Sequence, residues 1–292
     1  MGYNGTMLPA ERFTSRAQDY VKFRPSYPVE VISHLMKSGI LTSSSVVADI
    51  GSGTGLLTQL FLQNGNHVFG VEPNPEMRAA GEQQLQSHPH FTSVNAAAEA
   101  TTLPDASIDL ITAGQAFQWF DRSKARPEFC RILRPLGHVA VIRNARLENS
   151  PFLKDYEELL QRYGTDYSAM DARRITNDVL AEFFHPHPMT RAAFPNGQSF
   201  DFEGLKGRFL SSSYTPGPDH PDYAPTLDAL RRIFEAHQVN NRIRFDYLTE
   251  IFTARLHPCP DQPARKHDSS AGKLMTRLRS LLSRRSMKKT PS

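Results

Sequence analysis

The sequence predicts an α/β protein built on a doubly wound, mostly parallel sheet of seven strands. Short apolar segments rich in β-branched residues alternate with helical patterns from residue 46 onward. Parallel strands need a crossover connection, which is usually a helix. A glycine-rich turn directly follows the first strand, and a carboxylate closes the second. In such a sheet a ligand binds beyond the carboxyl ends of the strands, so this turn marks the expected site.

The first half of the chain contains five short apolar runs bounded by turn residues, which predict five strands. They are residues 46–50, 67–71, 91–94, 108–113 and 137–142. Apolar residues at helical spacing predict helices between them, and a proline stands near the start of one. One helix begins at Leu56, directly after the glycines, and two others span residues 75–86 and 123–133. A further helix, before the first strand, runs through Val31, Leu35 and Met36.

The second half is less regular. Helices are predicted at residues 152–163, 177–184 and 227–238. A strand at 191–194 is expected to end in a turn at Pro195-Asn196-Gly197. Residues 243–256 alternate apolar and polar side chains over a long stretch, which predicts a late antiparallel strand of the same sheet.

Composition and charge favour a globular protein with an ordinary core, since 39% of the 292 residues are hydrophobic and 22% are charged. The net charge of +4 is uneven: residues 260–292 carry +7 and the remainder −3. We therefore expect no nucleic-acid partner for the body of the protein. The tail is predicted to be solvated and flexible, and contact with an anionic membrane is the alternative.

No apolar stretch reaches the roughly 18 residues of a membrane span, and the start of the chain lacks a secretory pattern. We expect a cytoplasmic protein that is a monomer or a weak dimer. Cys130 and Cys259 stand far apart in the chain, so we expect neither a disulfide framework nor a zinc site. No other metal site is predicted.

The turn Asp49-Ile50-Gly51-Ser52-Gly53-Thr54-Gly55 has the pattern Gly-x-Gly-x-Gly. Its glycines permit a tight turn and a close ligand, and the following helix offers free N–H groups to an anion. A dinucleotide site requires a third glycine at the sixth motif position, where this chain has Leu56. Glu72 can accept hydrogen bonds from two ribose hydroxyls of either a nicotinamide or an adenosylmethionine cofactor. The glycine spacing, rather than Glu72, argues against a dinucleotide.

Four segments in order, at residues 49–55, 71–74, 98–104 and 108–111, resemble the motifs of class I S-adenosylmethionine-dependent methyltransferases of the methyltransferase type 11 kind. Three more resemble a small-molecule subgroup related to trans-aconitate methyltransferase. They are "FRPSYP" at 23–28, "QAFQWF" at 115–120 and "RNAR" at 143–146.

The resemblance implies a Rossmann-like fold and S-adenosylmethionine as cofactor. It implies a division into an N-terminal lid segment at 1–45, a cofactor-binding domain at 46–146, lid helices with the last strands at 147–259, and the tail at 260–292. The glycines would line the methionine part of the cofactor, and Glu72 would bind the ribose. Pro73 and Met77 would flank the adenosine, with Ala98 and Glu99 near its adenine. The implied cofactor-binding residues are Asp49, Gly51, Gly53, Gly55, Glu72, Pro73, Met77, Ala98, Glu99 and Gln115.

The resemblance also implies catalytic roles for Gln115, Gln118 and Tyr27 and substrate contacts for Arg24, Trp119 and Arg143. Related sequences often carry His at position 118 and Trp at 143. Because glutamine cannot accept a proton at neutral pH, this chain either needs no base or uses another one. A carboxylate acceptor is already ionised and needs only positioning, whereas a hydroxyl needs a base.

Each of these functional roles has a plainer structural alternative. Phe117, Trp119 and Phe120 could be core residues, Gln115 and Gln118 ordinary loop amides, and Arg24 a donor to carbonyls of its own segment. The favoured function is methyl transfer to an oxygen of a small-molecule acceptor, with nitrogen and carbon ranked below it. A non-catalytic S-adenosylmethionine-binding or scaffold protein is the alternative, and a nicotinamide oxidoreductase ranks third.

Overall fold

The computed structural model describes residues 17–168 and 175–256. Its centre is a seven-stranded sheet in the order β3-β2-β1-β4-β5-β7-β6. The strands are β1 (Val46–Ile50), β2 (His67–Val71), β3 (Phe91–Val94), β4 (Ile108–Gly114), β5 (Leu133–Arg146), β6 (Thr190–Phe200) and β7 (Ile243–Arg255). Strands β1 to β5 pair in parallel, and β7 pairs antiparallel with both β5 and β6. The predicted fold class and the antiparallel late strand are confirmed.

The helices alternate with the parallel strands as the crossover argument requires. They are α1 (Ala17–Phe23), α2 (Glu30–Lys37), α3 (Leu56–Gln63), α4 (Pro75–Leu85), α5 (Arg122–Ile132), α6 (Pro151–Tyr163), α7 (Asn177–Phe184), α8 (Phe202–Leu210) and α9 (Tyr223–His237), with a 3-10 turn at Phe117–Trp119. Local caps fix several starts. The Asn74 side chain accepts from Met77 N at the start of α4, and Asp201 caps α8 through Gly204 N.

The chain leaves β1 toward β2 and β3 on one side and returns to β4 on the other. The strand order therefore switches between β1 and β4, and a crevice forms at their carboxyl ends. The turn after β1, the loop after β2 and the residues after β4 all open into this crevice. This topology places the glycine turn where the sequence predicts a ligand.

One prediction for the second half is wrong, and one helix was missed. Pro195, Asn196 and Gly197 form no turn; they continue β6, opposite Leu248 to Asp246 of β7. Since β6 is the edge strand, the missing N–H of its proline breaks no ladder on a second side. Helix α8 was not predicted, because Gly204 and Gly207 interrupt its apolar pattern. Gly207 is needed there, since an added Cβ would clash with the Phe23 ring.

Cys130 is disulfide-bonded, which corrects the expectation of no disulfide framework. The predicted tail lies outside the described residues, and the division into four segments stays a prediction. No helix in the described ranges has both the length and the apolar character needed to cross a bilayer.

Two apolar clusters hold the sheet and its additions. The first joins Tyr27, α2 and α3 to the parallel strands. The second joins α6, α8 and α9 to β7 and is rich in aromatic rings; we call it the aromatic core. Its aromatic members include Phe152, Tyr156, Phe209, Phe234, Phe245 and Tyr247. The aromatic core fixes α8 and β7, which carry side chains of the site.

Phe245 lies at the centre of the aromatic core. It is fully buried, and its ring centroid lies 4.8 Å from that of Tyr156 and 5.1 Å from that of Phe152. Phe245→Ala should lower the free energy of unfolding by about 3–5 kcal/mol, because it removes this buried volume and leaves a cavity. Phe245→Leu should cost clearly less, since it keeps most of the volume. Urea denaturation checks both, and an alanine variant within about 0.5 kcal/mol of the unchanged protein would contradict this packing.

Candidate active site

A cavity of about 370 Å³ lies at the carboxyl ends of β1, β2 and β4. That volume is within the roughly 300–1,000 Å³ of small-molecule sites. The structure brings most of the predicted residues together on its wall. They are Arg24, Tyr27, Asp49, Gly51, Gly53, Glu72, Pro73, Met77, Ala98, Glu99, Gln115 and Trp119. We call this space the cofactor cavity.

The glycine turn needs glycines for two reasons. Gly51, Gly53 and Gly55 all have positive φ, which other residues adopt at a cost. Space is also limited, since an added Cβ on Gly51 would lie 2.5 Å from Ala116 Cβ. Gly55 does not line the cavity; its Cβ would meet Leu85 Cδ1 at 2.6 Å. Close packing of the turn against α4, rather than ligand approach, explains that glycine.

Thr54 is the polar side chain of the turn that lacks a partner. It is 1% exposed and lines the cavity, and its Oγ1 is buried without a hydrogen-bond partner in the described protein. Buried hydroxyls are nearly always satisfied. Helix α3 begins two residues later, so its first N–H groups also lack intrahelical acceptors. The turn therefore fits a ligand that brings hydrogen-bonding groups of its own.

Glu72 follows β2 and is 8% exposed. One carboxylate oxygen accepts from Gly53 N at 2.9 Å, and the other accepts from Asn74 N at 2.8 Å. Burial raises the pKa of this carboxyl, although both N–H bonds act to lower it. Each oxygen retains a second lone pair. Glu72 is thus held in place with acceptor capacity for two hydroxyl groups, as a ribose presents.

Asp49, near the end of β1, is buried more deeply. It accepts from Thr58 Oγ1 at 2.6 Å and from Thr112 Oγ1 at 2.9 Å. Burial raises its pKa to about 6 against the effect of these two bonds. Above that pH the carboxylate places a negative charge at the cavity wall, which favours a positively charged ligand group.

The far end of the cavity is more apolar. Met77 lies against the turn, since a Cβ on Gly53 would be 3.2 Å from its Cε, and the Asn74 cap orients the helix that carries it. Pro73 and Ala98 add apolar surface. Glu99 Oε1 accepts from Asp121 N at 2.7 Å, which fixes that carboxylate at the rim. The arrangement suits a flat heterocycle with a polar edge.

Gln115 follows β4 with φ +55, an uncommon conformation for a residue other than glycine. Its N–H donates to Ile142 O, and its side chain donates to Asn144 O at 3.0 Å. Gln118 Nε2 in turn donates to Gln115 O at 2.8 Å. Strained backbone of this kind costs roughly 1–3 kcal/mol and is often found at functional sites. The position of the Gln115 side chain is therefore well determined.

A second space of about 620 Å³, which we call the chamber, adjoins the cofactor cavity. Gln118 and Arg143 line the chamber only. In the part of the chain that the structure describes, no histidine, aspartate or glutamate lines it. The two spaces share seven residues: Tyr20, Arg24, Gln115, Trp119, Asn144, Arg208 and Tyr247.

Two of the arginines in the chamber are neutralised locally. Arg143 Nε donates to Glu250 at 2.6 Å, and its Nη1 donates to Ile175 O. Arg146 forms a salt bridge with Glu157. Arg24 does not donate to carbonyls of its own segment alone, as the plainer interpretation has it. Its Nη2 donates to the carbonyl oxygen of Ser211, far along the chain, at 2.9 Å.

The aromatic residues after β4 divide between the core and the site. Phe117 is 1% exposed, and its ring centroid lies 4.8 Å from that of Phe183, as the core interpretation requires. Trp119 lines both spaces, and Phe120 lines the cofactor cavity. Tyr27 lines the cofactor cavity alone, and burial raises its pKa well above 10.

Sequence reasoning missed several residues of the site: Thr54, Asn144, Arg208, Tyr214 and Tyr247. Thr54 and Asn144 had a signal, since Thr54 lies inside the quoted turn and Asn144 inside the quoted segment at 143–146. Arg208 lies on α8 and Tyr247 on β7, and only the tertiary fold brings these to Gln115. Within the described ranges, no group of three His, Cys, Asp or Glu side chains is placed to hold a metal.

Comparison with known proteins agrees with this geometry. A methyltransferase domain model matches residues 48–141. An uncharacterized methyltransferase of Mycobacterium tuberculosis is 34% identical over 250 residues, which cover 84% of this chain and 95% of that protein. An uncharacterized methyltransferase-like protein of Schizosaccharomyces pombe is 25% identical over 258 residues, 86% and 98% of the two chains.

A solved structure of a type II methyltransferase candidate from Anaeromyxobacter dehalogenans shares the fold, with a TM-score of 0.54 at 20% identity over 80% of this chain and 97% of that one. The fold and the site define an S-adenosylmethionine-dependent methyltransferase. The chain belongs to the class I family with a type 11 methyltransferase domain. The finer resemblance to the trans-aconitate subgroup stays a prediction.

Asp49 gives the cavity a measurable pH dependence. Because its folded pKa, about 6, exceeds the ordinary 3.8, the neutral carboxyl stabilises the fold at low pH and this contribution is lost as the pH rises through about 6. Asp49→Asn carries no such charge. The variant's stability relative to the unchanged protein should therefore increase between about pH 4 and 6, by at most about 3 kcal/mol, and stay level above. Urea denaturation without cofactor measures it, and a difference independent of pH would contradict the assignment.

Proposed function

We propose that this methyltransferase transfers the methyl group to an oxygen of a small molecule held in the chamber. The observation that carries the proposal is the junction between the two spaces, where the cofactor cavity and the chamber share Gln115, Trp119 and five other residues. A methyl donor in one space and an acceptor in the other would meet there. The chamber's volume is suited to a small molecule rather than to a polymer.

For the cofactor, we assign the ribose to Glu72, because its remaining lone pairs face the cavity from a fixed position. The methionine part is assigned to the turn of Gly51 and Gly53, to Thr54 Oγ1 and to the start of α3. Asp49 favours the positively charged groups of that part. Pro73, Met77, Ala98 and Glu99 would hold the adenine. Gly55 contributes through the shape of the turn.

When bound, S-adenosylmethionine supplies an electrophilic methyl group on a sulfonium sulfur. The acceptor oxygen forms a bond to the methyl carbon while the carbon–sulfur bond breaks, and the bonding pair leaves with sulfur. An ionised oxygen becomes neutral in this step and no proton moves. Gln115 and Trp119, at the junction, would align the acceptor, and alignment supplies much of the rate of such a displacement.

The side chains of the chamber favour oxygen over nitrogen. Gln118 is an amide and cannot take a proton, and no described histidine, aspartate or glutamate lines the chamber. An ionised oxygen needs no base. Arginines on the walls repel an ammonium acceptor. Tyr27 lies outside the chamber, so we assign it to the wall of the cofactor cavity rather than to proton transfer.

The alternative is a non-catalytic S-adenosylmethionine-binding protein, and turnover separates the two. With methyl-labelled S-adenosylmethionine and a panel of small carboxylic acids, phenols and cell extract, we expect a labelled product of low molecular mass whose methyl group is bonded to oxygen. Mild alkali should release the label as methanol if the acceptor is a carboxylate, because methyl esters hydrolyse. Mass spectrometry identifies the bond. A methyl group on nitrogen or carbon, or binding of S-adenosylhomocysteine without any turnover, would contradict the proposal.

A further inference from the structure

The chamber contains two cations that no described carboxylate neutralises. Four arginines line it: Arg24, Arg143, Arg146 and Arg208. Arg143 and Arg146 are paired with glutamates. Within the residues that the structure describes, neither Arg24 nor Arg208 takes part in a salt bridge. Both of these line the cofactor cavity as well as the chamber.

Arg24 and Arg208 lie close to each other. Arg24 Nη2 and Arg208 Nη1 both donate to Ser212 Oγ, at 3.4 and 3.1 Å, so the two nitrogens are at most about 6.5 Å apart. Arg208 Nε also donates to Tyr247 at 3.0 Å. Arg208 is 5% exposed, and Arg24 Nε is buried without a partner. Serine and tyrosine oxygens satisfy some donors but supply no full negative charge.

Two buried like charges at this separation are unfavourable without an anion. Removing one cation from water costs several kcal/mol, and a second cation nearby adds repulsion. This repulsion affects the pKa values of Arg24 and Tyr214. Burial, followed by the charge of Arg208, lowers the pKa of Arg24. Burial raises the pKa of Tyr214, but Arg24, Arg208 and Arg146 lower it by more, so its net shift is downward. The junction therefore favours an anion.

We propose that Arg24 and Arg208 together bind a carboxylate of the methyl acceptor, so that the substrates of this enzyme are small carboxylic acids. This inference rests on the proposed function. A guanidinium matches a planar carboxylate through paired N–H bonds, and two guanidiniums supply enough donors for both oxygens. The cofactor also has a carboxylate, but the turn, Thr54 and the start of α3 already provide donors for it.

The bound carboxylate serves recognition. Two cations withdraw electron density from its oxygens and occupy their lone pairs, which makes them poor nucleophiles. The methylated oxygen therefore belongs to a second group of the same acceptor, and this group lies nearer Gln115. The acceptor is accordingly a molecule with a carboxylate and at least one further oxygen function.

The test uses the full chain saturated with S-adenosylhomocysteine, with benzoate and benzamide as probes of nearly equal shape. Titration calorimetry in a phosphate-free buffer should show benzoate binding at least about tenfold tighter than benzamide, because only benzoate carries charge. Equal affinities, or no benzoate binding, would overturn the proposal without recourse to any variant.

Variants then locate the site. Arg208→Gln and Arg24→Gln should each weaken benzoate binding about tenfold to a hundredfold. Arg191→Gln removes an arginine of the same charge that is also paired with a glutamate but lines neither space, and it should retain benzoate binding. Arg208→Lys keeps the positive charge but loses the paired N–H donors of the guanidinium, so its benzoate affinity should lie between those of the unchanged protein and Arg208→Gln. Unchanged benzoate affinity in both glutamine variants would overturn the assignment.

A second titration distinguishes the two sources of carboxylate. In both glutamine variants, S-adenosylhomocysteine should keep its affinity within about threefold. If it weakened while 5′-methylthioadenosine, which lacks the carboxylate, did not, the arginines would serve the cofactor and the inference would fail. Methyl transfer to acceptors without a carboxylate, with no preference for benzoate, would overturn this inference alone. Benzoate binding together with no methyl transfer to any acceptor of the panel would overturn the proposed function alone.

Discussion

The buried carboxylate of Glu72 is the group on which the geometry of the cofactor cavity depends. Its two oxygens accept from Gly53 and Asn74, so a single side chain connects the loop after β1 to the loop after β2. The N–H of Gly51 donates to Val71 O at 2.8 Å and joins the same two loops through the backbone. A carboxylate that is already fixed loses little further entropy when a ligand binds. The same bonds that shape the turn thus leave an acceptor directed at the cavity.

The carboxyl-terminal half completes the site from outside the parallel sheet. The aromatic core holds α8 and β7 in place, and these elements bring Arg208 and Tyr247 to the residues that follow β4. Arg24 reaches the end of α8 through Ser211 and so ties the amino-terminal segment to the same place. The parallel strands and the loops after them therefore form most of the cofactor cavity, while α8 and β7 add Arg208 and Tyr247 where it adjoins the chamber.

The fold was predictable where its signals are local. Strands β1 to β3 lie where short apolar runs place them, and the glycine turn and Glu72 mark the crevice because they follow successive parallel strands. The continuation of β6 through Pro195 to Gly197 was not predictable, because pairing with β7 at the sheet edge overrides a local turn signal. Helix α8 was missed since its glycines serve packing against Phe23 rather than a turn.

The site divides in the same way. Residues adjacent in sequence to the turn and to β2 were predicted, whereas Arg208 and Tyr247 reach the junction through tertiary contacts that no spacing encodes. Gly55 shows the opposite case, in which a motif residue has a packing role and lies off the cavity wall.

The central claim is that Glu72 holds the cofactor, and calorimetric titration of S-adenosylhomocysteine into Glu72→Gln tests it most directly. Glutamine has one acceptor oxygen in place of two, so affinity should fall about tenfold to a hundredfold. Glu82→Gln is the matched control, because it makes the same change on a half-exposed side chain outside the cavity and should bind as the unchanged protein does. Unaltered affinity in Glu72→Gln would contradict the account and place the cofactor elsewhere.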